Sequence, residues 1–204
     1  MSSVKPTRQE SLRLKKKIKT ASRGHSLLTD KRDGLIQQFL TIIQEVIRLR
    51  GELTPKIVEA IQLFQFAQTK ISEQTLQELI HLSQVNINLE LQTKSIMGVK
   101  IPHIIPHIEG DPFQYGTFGT PKDLDQSLSS LQSILPLIIQ LAKIEFTARL
   151  LAEEIEITRR RVNALEYVIL PEMKQDLKFI QNALDELTRQ EKVTIMKVKE
   201  LLEL

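Results

Sequence analysis

From Leu14 onward, apolar side chains return at every third or fourth residue: Leu14, Ile18, Ala21, His25, Leu28, Arg32, Leu35, Phe39, Ile42, Val46 and Leu49. Only His25 and Arg32 interrupt the seam. A step of this kind kept up over about five heptads predicts a coiled-coil helix. The C-terminal third repeats it with Ile144, Ala148, Leu151, Ile155, Thr158, Val162, Leu165 and Ile169. There the register shifts through Met173 and Leu177 before resuming at Ile180, Leu184 and Leu187. Extra residues in a heptad pattern locally unwind a supercoil. They fall around Pro171, where the missing backbone donor predicts a kink or a loosened turn.

Between these helices the pattern changes twice. At "GELTP", Thr54 has the character of a cap and Pro55 of a first helical residue, so the chain is expected to bend there. A second helical face of Ile57, Ala60, Ile61, Phe64, Ala67 and Ile71 then runs to about residue 82. "VNINLEL", residues 85–91, alternates apolar and polar, the mark of a half-buried strand. "IMGVKIPHIIPHIEG" follows, and Pro102 and Pro106 bar it from a central ladder position, so a short hairpin or irregular β element with an apolar tip is expected. Residues 109–121 hold glycines and prolines and predict a loop. From "KDLDQSLSSLQSILPLI" a helix continues to the end, broken locally at Pro136. The fold class is therefore mainly α. The N- and C-terminal helices form a long antiparallel two-helix coiled coil with a small globular insertion containing a short β-hairpin. The expected divisions are 1–82, 83–122 and 123–204. With the chain ends level, facing residue numbers would total about 205, and Pro171 would lie near Gly34.

Composition supports narrow seams over a compact globule: 41% of residues are apolar, but only 4% are aromatic and none is tryptophan. The absence of cysteine removes disulfides and thiolate metal sites, and fits a reducing, intracellular setting. No apolar run reaches the roughly 18 residues of a membrane span, and the basic N-terminus lacks the apolar region of a secretory signal. Charge is uneven. Residues 1–32 carry ten Lys or Arg against Glu10 and Asp30, a local +8 in a chain of net +3. Such an arm can meet nucleic acid or an acidic protein, or be a solvated helix face.

The stretch "SRGHSLLTDKRDGL" places poor helix formers inside the first seam. Gly24 is expected to let the partner helix approach, Gly34 to accommodate the turn around Pro171, and His25 and Arg32 to fix register as buried polar seam groups do. His103 and His107 have a zinc-ligand spacing for a helix, but the prolines before them remove that geometry, and no metal site is expected. "GTFGTPKD" lacks the spacing of a phosphate cradle. Carboxylates and arginines from Glu153 to Arg161 suit i to i+4 pairing. Neither an enzyme active site nor a cofactor is expected.

"PTRQESLRLKKKIKTASRGHSLLTDKRDGL" and "RRRVNALEYVILPEMKQDLKFIQNALDEL" resemble the terminal motifs of the D subunit of V-type and A-type ATPases, and "IMGVKIP" is similar to that family's hairpin segment. The resemblance implies a non-catalytic central rotor shaft that transmits torque between a catalytic hexamer and a proton- or sodium-carrying membrane ring. It implies as partners the catalytic and non-catalytic nucleotide-binding subunits of the hexamer, the small F subunit of the stalk and a funnel-shaped subunit leading to the ring. The location would be cytoplasmic and membrane-peripheral, with no span of its own and no nucleic acid bound. Under it, Lys5, Arg8, Arg13, Lys15, Lys16 and Lys17 are candidates to face the hexamer, and Met97, Gly98, Val99 and Ile101 to dock a stalk partner. Rival readings are a prefoldin-like chaperone, with apolar tips at its free helix ends, and a basic coiled-coil adaptor.

Overall fold

The computed structural model of the protein describes residues 5–82, 85–110 and 121–202. Its elements are α1 (Arg8–Gln68), α2 (Glu73–Leu82), β1 (Asn86–Ile96), β2 (Val99–Glu109), α3 (Lys122–Ala164), a π-helical turn (Leu165–Ile169) and α4 (Leu170–Leu202). The fold is mainly α, with long N- and C-terminal helices paired antiparallel and one small hairpin. The chain forms two compact units, one of residues 1–34 with 155–204, the other of residues 35–154. The expected loop falls, from 111 to 120, outside the described residues.

In the first unit α1 starts at a cap that its sequence supplies: the Glu10 N–H donates to Thr7 Oγ1 at 3.2 Å. Ser11 and Leu14 from α1 are buried, as are Thr158, Val162 and Ile180 from the C-terminal helices. Each fully buried Val or Ile side chain contributes about 1.5–3 kcal/mol relative to exposure. His25 lies beside Glu166, so facing numbers total 191 here (25 and 166). The level-ended pairing is corrected by this contact. Gly34 is opposite about residue 157 and Pro171 opposite about residue 20, so Gly34 cannot accommodate the turn at Pro171. The helix ends are staggered because α4 continues well past the start of α1, and residues 189–202 are all exposed.

The loosened turn expected near Pro171 is π-helical. The Leu170 N–H reaches back five residues to the Leu165 carbonyl. Proline has no N–H for the Tyr167 carbonyl and its ring would press on that group, so a wider turn before it removes the conflict. The seam shows the same extra residue. Leu165, Ile169, Met173 and Leu177 follow one another by fours, one residue more than alternating threes and fours would give.

In the second unit Leu53, Ala60 and Ile134 form a buried cluster with Ile57, Leu137 and Leu141 against it. Ala67 and Leu124 form another, flanked by Phe64, Ile71, Leu76, Leu79 and Leu128. Small residues draw the helices close: the Ser127 hydroxyl donates to the Ala60 carbonyl at 3.0 Å, with both residues fully buried. The hydrogen bond removes the cost of burying that hydroxyl. Arg50 pairs with Glu145 at 2.6 Å, and Lys70 with Asp123.

Three boundary expectations are corrected. Helix α1 runs through Pro55 without the expected bend, and the Thr54 hydroxyl donates back to the Arg50 carbonyl at 2.7 Å instead of capping. Helix α3 likewise runs through Pro136. Each proline removes the donor for one carbonyl, on Gly51 or Gln132, and both those residues are on the solvent side of their helix. The break comes after Gln68, where Ser72 caps α2 by accepting the Thr75 N–H at 3.3 Å.

The hairpin is regular, not irregular. All positions from Asn86↔Glu109 to Ile96↔Val99 pair in one antiparallel register. Met97 and Gly98 turn the chain with φ of 49° and 85°. Two positive values define the type I′ turn that matches strand twist. With Ile96 and Val99 as the bonded pair next to the turn, Pro102 and Pro106 fall opposite Thr93 and Leu89 at non-bonded positions, where no ladder donor is needed.

Candidate interaction surfaces

Among the described residues no group of three or more His, Cys, Asp or Glu is placed to hold a metal, and no helix is long and apolar enough to cross a membrane. What the chain offers is surface, and three regions stand out.

The first is basic. Lys5, Arg8, Arg13, Lys15, Lys16 and Lys17 are all exposed, while Ser11, Leu14 and the half-buried Ile18 take the inner face of α1. Arg13 lies 3.6 Å from Glu10 one turn back. Helical spacing therefore turns the charges outward because the apolar seam turns inward.

The second is the end of α4. Leu187, Val193, Ile195, Met196, Val198, Leu201 and Leu202 are exposed at 48–81%. Leu187, Gln190, Glu191, Thr194 and Ile195 line a shallow groove of about 420 Å³. Sequence reasoning missed this surface, although a seam that ends at Leu187 while apolar residues continue was its signal.

The third is the hairpin. Met97 projects at its tip, 45% exposed, and Gly98 completes the turn. Val99 is half-buried and Ile101 is only 8% exposed. Ile101, expected as a docking residue, is thus packed within its own unit. Alternation gives the reason: Ile101 shares a face with His103, which is partly buried and near Lys143 of α3. Burial, then Lys143 and Lys94, pushes His103 below its ordinary pKa. Glu90 is pulled below the usual carboxylate range, first by the hydrogen bond from Gln92 and then by His107, whose Nε2 is 3.5 Å away. His103 and His107, four residues apart on a strand, are separated by roughly 13 Å of rise and engage Lys94 and Glu90 separately.

The register candidates divide. His25 is half-buried at the seam, with Nε2 3.5 Å from Glu166 Oε2, too long for a hydrogen bond, so that nitrogen is buried without one. Its carbonyl accepts the Thr29 hydroxyl at 2.9 Å. Arg32 turns to its neighbour instead of across the seam, with Nε and one terminal nitrogen 2.9 and 2.8 Å from Asp33 Oδ1. A Cβ added at Gly24 would meet nothing within 4 Å, so close helix approach does not explain that glycine.

A family model for the D subunit of ATP synthase matches residues 10–200, nearly the whole chain. The chain belongs to the ATP synthase D-subunit family. It is 40% identical over 203 residues to the A-type ATP synthase D subunit of Pyrococcus furiosus, covering 98% of this chain and 95% of the relative. It is also similar to the V-type ATP synthase D subunits of Clostridium novyi, 38% identical over 98% of this chain and 95% of that one, and of Enterococcus faecalis, 37% over 97% and 96%. A member of this family is a component of an enzyme complex and has partner subunits. This membership displaces the chaperone and adaptor readings.

Proposed function

We propose that this chain is the non-catalytic central shaft of an A/V-type rotary ATPase. It transmits torque between ATP turnover in the catalytic hexamer and proton or sodium movement through the membrane ring. The paired segments of α1 and α4 enter the hexamer of catalytic and non-catalytic nucleotide-binding subunits. The hairpin region docks stalk partners, a small F subunit and a funnel-shaped subunit above the ring, and the chain is held peripheral to the membrane on the cytoplasmic side.

The observation that carries this reading is the outward basic face of α1 in the same unit as the uncovered apolar end of α4. Torque transfer needs attraction without one fixed pose. A row of exposed cations supplies it, since long-range attraction to an acidic or polar bearing does not depend on close fit. The seam supplies resistance to unwinding, because twisting one helix past the other must pull buried groups such as Val162 and Ile180 out of contact.

The test is to purify the tagged chain gently from its own cells' membranes and identify its companions. Recovery with a catalytic subunit, its nucleotide-binding partner and a small stalk subunit, at one copy of this chain per three catalytic copies, supports the shaft. Reversing Lys15, Lys16 and Lys17 to Glu then lowers coupled ion transport more than ATP hydrolysis. Recovery without ATPase subunits, or coupling untouched by the reversal, overturns it.

A further inference from the structure

The two edges of the hairpin are unlike each other. In this register the N–H and C=O groups of Ile87, Leu89, Leu91, Thr93 and Ser95 point away from β2, as do those of residues 100, 102, 104, 106 and 108 from β1. On β2 two of the five outward positions are Pro102 and Pro106, which have no donor. Prolines so placed prevent a further strand from pairing, one of the ways in which proteins protect sheet edges. On β1 none of the five is proline, and among the described residues no backbone bond is made by them. Burial follows the same asymmetry. β2 is mostly half-buried, whereas every residue of β1 from Asn86 to Ser95 is exposed.

The side chains on that open strand are not those of a solvated edge. Ile87, Leu89 and Leu91 stand on one face, 45%, 52% and 70% exposed, with Ile104, Pro106 and Ile108 beside them across the ladder. The opposite face of β1 carries Asn88, Glu90, Gln92 and Lys94. We infer that β1 is a site of strand addition, taken in the assembled enzyme by an extended segment of a neighbouring subunit. That segment alternates apolar residues, against Ile87, Leu89 and Leu91, with polar ones that include an acid facing Lys94. Backbone groups set this requirement, because a helix laid on the leucines would leave the row of ladder donors and acceptors unmatched. The inference rests on the reading that a stalk partner docks at the hairpin, and specifies how.

Amide exchange in the isolated chain and in the complete purified complex tests it. In the isolated chain the amides of 87, 89, 91, 93 and 95 exchange fast and those of 88, 90, 92 and 94 slowly. In the complex the odd-numbered set slows by roughly 100-fold, as new ladder bonds require. Leu91→Pro, which deletes an outward donor and leaves the hairpin ladder whole, releases the partner about fivefold faster than Leu91→Ala, the effect of one net hydrogen bond. Slow exchange at the even positions in the proline variant shows that its hairpin is intact. Odd amides that stay fast in a complex that has assembled, or equal release by the two variants, overturn strand addition while leaving the shaft reading untouched. Odd amides protected in the isolated chain in proportion to its concentration overturn it too, since a second copy would then hold the edge. If the chain joins no ATPase complex at all, the shaft reading fails instead.

Discussion

Gly24→Ala should stabilise the protein. Gly24 lies in the interior of α1, far from either end, and a Cβ built on it meets no atom within 4 Å. Nothing must move to accept the methyl group, so the whole effect is backbone entropy plus the loss of an exposed peptide surface, about 0.8–1.0 kcal/mol in favour of alanine. Gly51 is in the same position in the second unit, with open space around its Cβ. Sites so distant and without shared partners add, giving about 2 kcal/mol for the double variant. In a chain of this size each substitution raises Tm by about 2–4 °C. Urea unfolding followed by circular dichroism at 222 nm reads the change as a shifted midpoint with an unchanged slope. An unchanged or lowered midpoint for Gly24→Ala refutes the reasoning, because it would mean that the backbone at residue 24 departs from the helix or that the space is not open. The complex separates a second question. If Gly24→Ala is more stable as a free chain yet slows coupled ATP hydrolysis, the glycine is kept for a surface that passes close to it in the assembly.

Ile180→Ala, in the first unit, removes a fully buried side chain and should cost about 2–5 kcal/mol in chemical denaturation, whereas Leu201→Ala on the exposed end of α4 should leave the free chain within about 0.5 kcal/mol. Met97→Asn relieves an L-residue held at positive φ and should slow amide exchange along the hairpin by a few-fold; faster exchange would show that the methionine side chain stabilises the turn. Acid should loosen the hairpin in two steps. Folding holds His103 below its ordinary value of 6.5, so the unfolded chain binds that proton more tightly and stability falls as pH drops through 6.5 toward the folded value. Glu90 is held below its ordinary 4.5, so its contribution is present above that and fades as pH falls through the lowered value. Hairpin amides that exchange at the same intrinsic-corrected rate from about pH 7 to 5 would contradict the first step, and an unchanged rate from about pH 5 down to about 3 the second.

Much of this fold is legible in the residues. Stepping by threes and fours from Leu14 to Leu49 marks positions that are all buried or half-buried, and the same holds from Ile144 to Leu184. The misplaced stop at Thr54 and Pro55 has a physical source. Cap and proline signals are local, but a continuous seam of Leu53, Ile57 and Ala60 against α3 outweighs one lost hydrogen bond on the solvent side. Helix register was not legible, since an apolar seam of even step fits its partner at several offsets, and sequence spacing does not reveal which side chains meet: His25 lies beside Glu166 in the first unit, and Arg50 pairs with Glu145 in the second. The surfaces were half legible. Charges on α1 could be read outward from the seam, but the burial of Ile101 and the exposure of β1 depend on which face of the hairpin turns toward α3.

The π-helical turn gains meaning from where it falls. In the first unit α1 keeps an even seam through Ser11, Leu14, Ile18, Ala21, His25 and Leu28, so the extra residue between Leu165 and Leu177 has to be absorbed by the other helix. A π turn does this locally, confining the change of phase to one turn; without it the mismatch would spread as altered supercoiling along the pair. Pro171 holds the turn in place, because restoring regular α-geometry would drive its ring against the Tyr167 carbonyl. Glu166, inside that turn, is the residue beside His25. A one-turn slip of α1 would take His25 from Glu166 and carry it into an apolar stretch of seam. The widened turn and the contact of His25 with Glu166 thus fall at one level of the pair, so that sliding one helix along the other would disturb both together.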